Sequence, residues 1–165
     1  MTRFIYQLNK FLAAVAVLTS LSAFDVMAQS SMSLVRADGS VVHGAVDSDP
    51  RLKTLLQDLH PGIYFENGGL NLSEKEATTL FTDVSSLGII QQTAFTRAAI
   101  EKVTVQLTRS SELSSLIDLA VFNGCDRLKY VEVRASFTCS KDDLFRMLKN
   151  AGSQYLILLN VSPVN

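Results

Sequence analysis

Three runs of sequence decide the fold: Ile100-Glu-Lys-Val-Thr-Val-Gln-Leu107, Leu128-Lys-Tyr-Val-Glu-Val-Arg-Ala135 and Tyr155-Leu-Ile-Leu-Leu-Asn-Val161. All three are rich in aliphatic or β-branched residues. The first two alternate apolar and polar positions, the pattern of a half-buried strand. They begin 28 residues apart, and the third follows at about the same interval. Helical patterns fill the intervals. The first starts at Ser110 or Ser111, carries Leu113, Leu116, Ile117, Ala120 and Val121, and stops at Asn123-Gly124. The second is capped by Ser140 with Asp143 at the third position, carries Leu144, Met147, Leu148 and Ala151, and stops at Gly152. Strands alternating with short helices predict an α/β domain of parallel strands with helices on one face.

Residues 29–165 read as one domain in three parts: a leader and hairpin over 29–48, a helical part over 49–99, and the βα repeats over 100–162. In the hairpin, Asp38-Gly39 predicts a tight type I′ turn. Asp49-Pro50 starts a helix with an apolar stripe of Leu52, Leu55, Leu56 and Leu59. Ile63-Tyr-Phe65 is a short strand, broken by a turn at Asn67-Gly68-Gly69. Ser73-Glu-Lys-Glu76 has the spacing of a capping box and predicts a helix that turns Ala77, Leu80, Phe81 and Val84 inward. Gly88-Ile-Ile90 suggests one more strand.

Ahead of the domain, residues 1–28 have the layout of a secretory signal. Arg3 and Lys10 give a positive start, Phe11 to Leu18 begins an apolar run, and Val26-Met-Ala28 supplies small residues for cleavage. The apolar run is short and interrupted, so stable membrane insertion after cleavage is not expected. The reading is an exported protein, periplasmic or secreted. Its 165 residues are 47% hydrophobic, enough for a real core, and its net charge of -1 offers nothing to nucleic acid. Cys125 and Cys139 would see an oxidising compartment. They flank an extended strand that would hold them roughly 20 Å apart. A disulfide therefore requires the loop at 136–139 to fold back, and two small buried hydrophobes are the alternative.

Phe122-Asn-Gly-Cys125-Asp-Arg-Leu128-Lys-Tyr-Val131-Glu-Val133 resembles a leucine-rich repeat of the cysteine-containing type. Cys125 stands three residues before the first position of L-x-x-L-x-L, and Val131 and Val133 take the later positions. Ser140 to Leu148 matches the helix that follows the strand in that family. Ile100, Val103 and Val105 match the preceding repeat. The resemblance spans about residues 100–161. Thr108 or Arg109, and Ser136 or Phe137, stand where the family's turn asparagine would be. An ordinary three- or four-stranded βα sheet has the same periodicity and stays open as an alternative.

The resemblance implies protein binding through the exposed strand face. The outward positions are Glu101 or Lys102, then Thr104, Gln106, Lys129, Glu132 and Arg134, and the expected ligand is an unknown protein partner. The other function class is a small thiol enzyme or hydrolase. Cys139 adjoins a helix N-terminus that would lower its pKa, and it would need His43 or His60 as base. Asp142 and Asp143 are neighbours on a helix and do not converge; first-turn acids stabilise a helix start. Nothing in the pattern points to a metal or a cofactor.

Overall fold

The structure, a computed structural model, describes residues 31–161. The export signal read over residues 1–28 lies outside them. In chain order the strands are β1 (Ser31–Arg36), β2 (Gly62–Glu66), β3 (Gly69–Ser73), β4 (Thr79–Asp83), β5 (Lys102–Leu107), β6 (Ile117–Asp118), β7 (Tyr130–Ala135), β8 (Leu148–Lys149) and β9 (Leu156–Val161). The helices are α1 (Ala45–Ser48), α2 (Pro50–Gln57), α3 (Leu87–Ile90) and α4 (Lys141–Arg146). Seven strands form one sheet in the order β1-β9-β7-β5-β4-β2-β3, and β6 pairs with β8 in a parallel two-stranded ribbon. From β2 through β4, β5 and β7 to β9 every neighbouring pair is parallel. β1 and β3 run antiparallel at the two edges. From β4 onward each return of the chain to this sheet adds one strand beside the last, and the α/β architecture expected from the sequence is what the molecule has.

Alternation along the strands sorts residues between the two faces. On one face a continuous apolar row crosses the sheet: Ile63, Leu80, Val103, Val131, Ile157 and Val35. It packs against Leu87, Ile90, Leu119, Phe122 and Leu144 from the connections, all buried in the main core. The opposite face carries a smaller core. There Leu52 and Leu55 of α2 bury Leu34, Tyr130 and Leu158. The helices thus do not all lie on one face: α3 and α4 pack on the main core, and α2 packs on the other side.

Asp49 ties the start of α2 to the sheet. An Asp49 carboxylate oxygen caps the helix by accepting from the Leu52 amide at 3.1 Å. The other oxygen accepts from the Tyr130 hydroxyl at 2.7 Å and from Lys129 at 2.9 Å. Burial opposes ionisation of Asp49, but these hydrogen bonds outweigh it and hold its pKa at about 2.

Several local expectations are corrected. The hairpin after β1 forms, but its turn is a three-residue loop in which Gly39, not Asp38, takes positive φ. The type I′ geometry appears instead at Asn67 and Gly68, with φ of 55° and 74°. The segment 49–99, read as helical, holds the short helices α2 and α3 and three strands. The capping-box helix at 73–84 does not form. Glu76 turns left-handed at φ 58°, Glu74 accepts from the Gly62 amide, and the β-branched run from Thr78 enters the sheet as β4. Gly88-Ile-Ile90 belongs to α3. The pattern at 110–122 resolves into two 3-10 turns, Ser110–Ser114 and Leu119–Phe122, with β6 between them, and Leu116 is exposed. α4 has the expected Ser140–Asp143 box but ends at Arg146. Leu59 lies past the end of α2 in solvent.

Asp49→Ala removes the cap, the Tyr130 bond and the Lys129 pair together, and is expected to cost about 2 kcal/mol. Lys129→Met removes only a half-exposed ion pair and is expected to cost under about 1 kcal/mol. Urea denaturation of both variants checks this; equal losses would contradict a cap-centred role for Asp49.

Candidate functional site

Strand register lays three rows of side chains across the face that α2 partly covers. The middle row runs Leu72, Tyr64, Phe81, Thr104, Glu132, Leu158, Leu34. The row towards the C-terminal strand ends holds Asp83, Gln106, Arg134 and Asn160. The row on the other side holds Thr79, Lys102, Tyr130 and Leu156. The middle row is apolar at both ends and polar in the centre. α2 closes the Leu158 end. The Leu72 end is open.

Glu132 is the centre of this face and is fully buried. Its Oε2 accepts from Lys102 Nζ at 2.7 Å and from the Thr104 hydroxyl at 3.1 Å. Its Oε1 accepts from Arg134 Nε and Nη2 at 3.0 and 2.7 Å and from Asn160 Nδ2 at 3.0 Å. Desolvation works against the charge, but Lys102 and Arg134 overcome it and hold the Glu132 pKa at about 2, against an ordinary 4.5. Because the folded value is depressed, the stabilisation is complete above the unfolded pKa near 4.5 and is lost as pH falls towards 2. A shift of this size corresponds to about 3 kcal/mol.

Beside this cluster lies a groove of about 530 Å³ over β2, β4, β5 and β7, walled by Thr108, Arg109 and Glu112 after β5. Its floor is Tyr64 stacked on Phe81, with ring centroids 4.8 Å apart and planes 9° from parallel. Gly62 makes room for this: a Cβ there would stand 2.8 Å from the Tyr64 ring. Arg134 enters from the other end, its side chain 38% exposed. Nε and Nη2 donate to Glu132, and the same side chain lines the groove.

The other acids of the groove are occupied by loop structure. Asp83 accepts from the Asn67 and Ser86 amides and the Ser85 hydroxyl, each at 2.7 Å. Glu112 accepts from the Thr108 and Arg109 amides and from the Arg109 guanidinium. Burial opposes both charges, and the hydrogen bonds still hold both carboxyls below their ordinary range. They fix the β2–β3 turn and the loop after β5 as walls.

The residues expected to bind divide three ways. Thr104, Glu132 and Arg134 come together, and Gln106 sits beside them with its amide nitrogen bonded to Ser136 at 2.7 Å. Thr104 and Glu132 are not surface contacts as expected; two cations and an amide converge on the carboxylate and exclude water from both. Lys129 is elsewhere, at the Asp49 clasp. Glu101 pairs with Arg51 at 2.6 Å and not with the groove. Tyr64 and Phe81 were missed as site residues. Alternation with buried Ile63 and Leu80 is the signal that places them on this face.

Cys125 and Cys139 are both free thiols. Cys125 is buried in the main core before β7, and burial pushes its pKa up. Cys139 is pushed up by burial and by Asp143, opposite to the lowered value that a thiolate nucleophile needs. The His60 Nε2 lies 3.1 Å from the Thr54 carbonyl, at the end of α2. Among the described residues no group of His, Cys, Asp and Glu is arranged to hold a metal ion, and no helix is long and apolar enough to cross a membrane.

No protein-family model, curated protein or solved structure matches the chain. The Glu132 cluster makes its own test. Glu132→Gln leaves the buried Lys102 ammonium without its counter-ion and is expected to cost about 3–5 kcal/mol. Adding Lys102→Met to that variant is expected to restore most of the loss. Additive losses in the double variant, measured by denaturation, would contradict the coupling.

Proposed function

We propose that this chain is an exported protein-interaction module that binds a segment of a partner protein in the groove on the strand face. One observation carries the reading: a stacked Tyr64–Phe81 pair is left half-buried as the floor of a groove, while the apolar end of the same row at Leu158 is closed by α2. Aromatic side chains held by strands lose little freedom on binding and supply large contact area, as at interface hot spots. The neighbouring Arg134 adds a fixed donor.

Two further features support binding over catalysis. Asp83, Glu112 and Glu132 already spend their oxygens on bonds within the protein, and no pair of them is poised as acid and base. The leucine-rich-repeat resemblance implies recognition through an exposed strand face, and the groove lies over adjacent parallel strands. The signal read at residues 1–28 supports export to the periplasm or the exterior.

The test is crosslinking of the mature protein in its native compartment, with captured proteins identified by mass spectrometry. Wild type and Leu116→Lys, altered on an exposed connection outside the groove, are expected to capture the same partner; Tyr64→Ala, folded by circular dichroism, is expected to lose it. Capture kept by Tyr64→Ala and lost by Leu116→Lys would overturn the reading.

A further inference from the structure

We propose that the occupant of the groove is an extended peptide segment that lays an aromatic or large aliphatic side chain on Tyr64 and Phe81 and places a carboxylate, three residues away, on Arg134. This rests on the docking reading above and specifies its ligand. The first half follows from the floor. Tyr64 and Phe81 are stacked and register-paired, and Leu72, 49% exposed, continues the same row to the sheet edge. A flat apolar strip three strands wide accepts one large side chain and favours aromatic ones by stacking.

The second half follows from charge. Two cations, Lys102 and Arg134, surround a single carboxylate, Glu132, so the cluster carries one surplus positive charge. Lys102 is buried; Arg134 is the member of the pair that reaches the groove. Arg109 stands on the adjoining wall, its own charge answered by Glu112. At the opposite end, Glu66 and Asp83 bring negative charge beside the aromatic floor. The groove is therefore polarised along its length. An acidic ligand group is steered towards β7 and away from β2, and a basic group is turned the other way.

The spacing follows from the sheet. Phe81 on β4 and Arg134 on β7 are separated by β5, so their strands lie about 10 Å apart. A peptide extended in the polyproline II conformation covers that distance in about three residues at roughly 3.1 Å each, and its three-residue period turns the first and fourth side chains to the same side. The peptide crosses the strands instead of pairing with an edge. Both edges are unsuited to pairing: the arm at Ser40–Val42 bonds along β1, and β3 is bulged at its pairing with Tyr64 and Phe65.

The experiment measures fluorescence anisotropy of fluorescein-labelled hexapeptides with the mature chain. The set carries one phenylalanine and one glutamate at every relative spacing in a Gly/Ala background, with matched peptides bearing lysine in place of glutamate or alanine in place of phenylalanine. Binding is expected to peak at a spacing of three, to weaken about tenfold with lysine, and to weaken as salt rises. Arg134→Gln, which leaves Lys102 and Glu132 as a balanced pair, is expected to abolish the preference for glutamate over lysine. Tyr64→Ala is expected to weaken every phenylalanine peptide while keeping that preference. Equal or tighter binding of the lysine peptides would overturn the proposal. So would the absence of binding by any peptide; if Tyr64→Ala still lost its partner in the crosslinking experiment, the groove reading would survive that result and only this ligand would fall.

Discussion

The carboxylate of Glu132, buried in the middle of a seven-stranded sheet, is the constraint that the rest of the structure answers to. Taking such a group out of water costs several kcal/mol unless partners surround it. Here β5 supplies Lys102 and Thr104, β7 supplies Arg134, and β9 supplies Asn160. The charge therefore fastens three consecutive strands on one face. It also fixes register. A slip of one residue in β7 would carry Glu132 into the apolar row between Val103 and Ile157, where nothing could pair it. Apolar rows alone tolerate more than one alignment of β-branched residues; a single charge with named partners does not.

The two faces divide the work. One is a largely apolar surface, with Thr82 a polar exception, buried under 3-10 turns and short helices, and it provides stability. The other is zoned from edge to edge: aliphatic under α2, charged at the centre, aromatic and open beyond. That zoning gives a folded protein a defined place to bind, because the part of the face that could collapse non-specifically is already covered by its own chain. The cluster that fixes the strands also sets the charge at one end of the groove, so architecture and recognition share Arg134.

Much of this was legible in the sequence. β5 and β7 are read directly from alternation, β9 from its aliphatic run, and α2 and α4 from Asp49-Pro50 and from Ser140 with Asp143, because in each case the local signal and the tertiary placement agree. The helix read at 73–84 failed because two signals conflicted. Ser73 and Glu76 have capping-box spacing, but Thr78, Thr79 and Thr82 favour a strand, and a vacant sheet edge beside β2 decided between them. The helix read at 110–122 failed because a stripe of Leu113, Leu116 and Ile117 fits a helical period over too short a span; a tight turn with Ile117 buried and Leu116 outside satisfies the same residues. The candidate site was half legible. Alternation put Thr104, Glu132 and Arg134 on one face, but outward-facing was taken to mean exposed. That inference fails when the neighbouring strand brings an opposite charge one row away, as β5 does with Lys102, which depends on a register the sequence does not display.

Whether Glu132 is ionised inside the sheet is the claim on which the strand fastening, the surplus charge and the polarity of the groove all turn. The most direct test is NMR titration of the Glu132 side-chain carboxyl carbon in the folded protein. An apparent pKa of about 2, with the Lys102 and Arg134 side-chain resonances shifting in the same step, is the predicted result. A midpoint at or above the ordinary 4.5 would mean that Lys102 and Arg134 do not stabilise the charge, and would contradict the account.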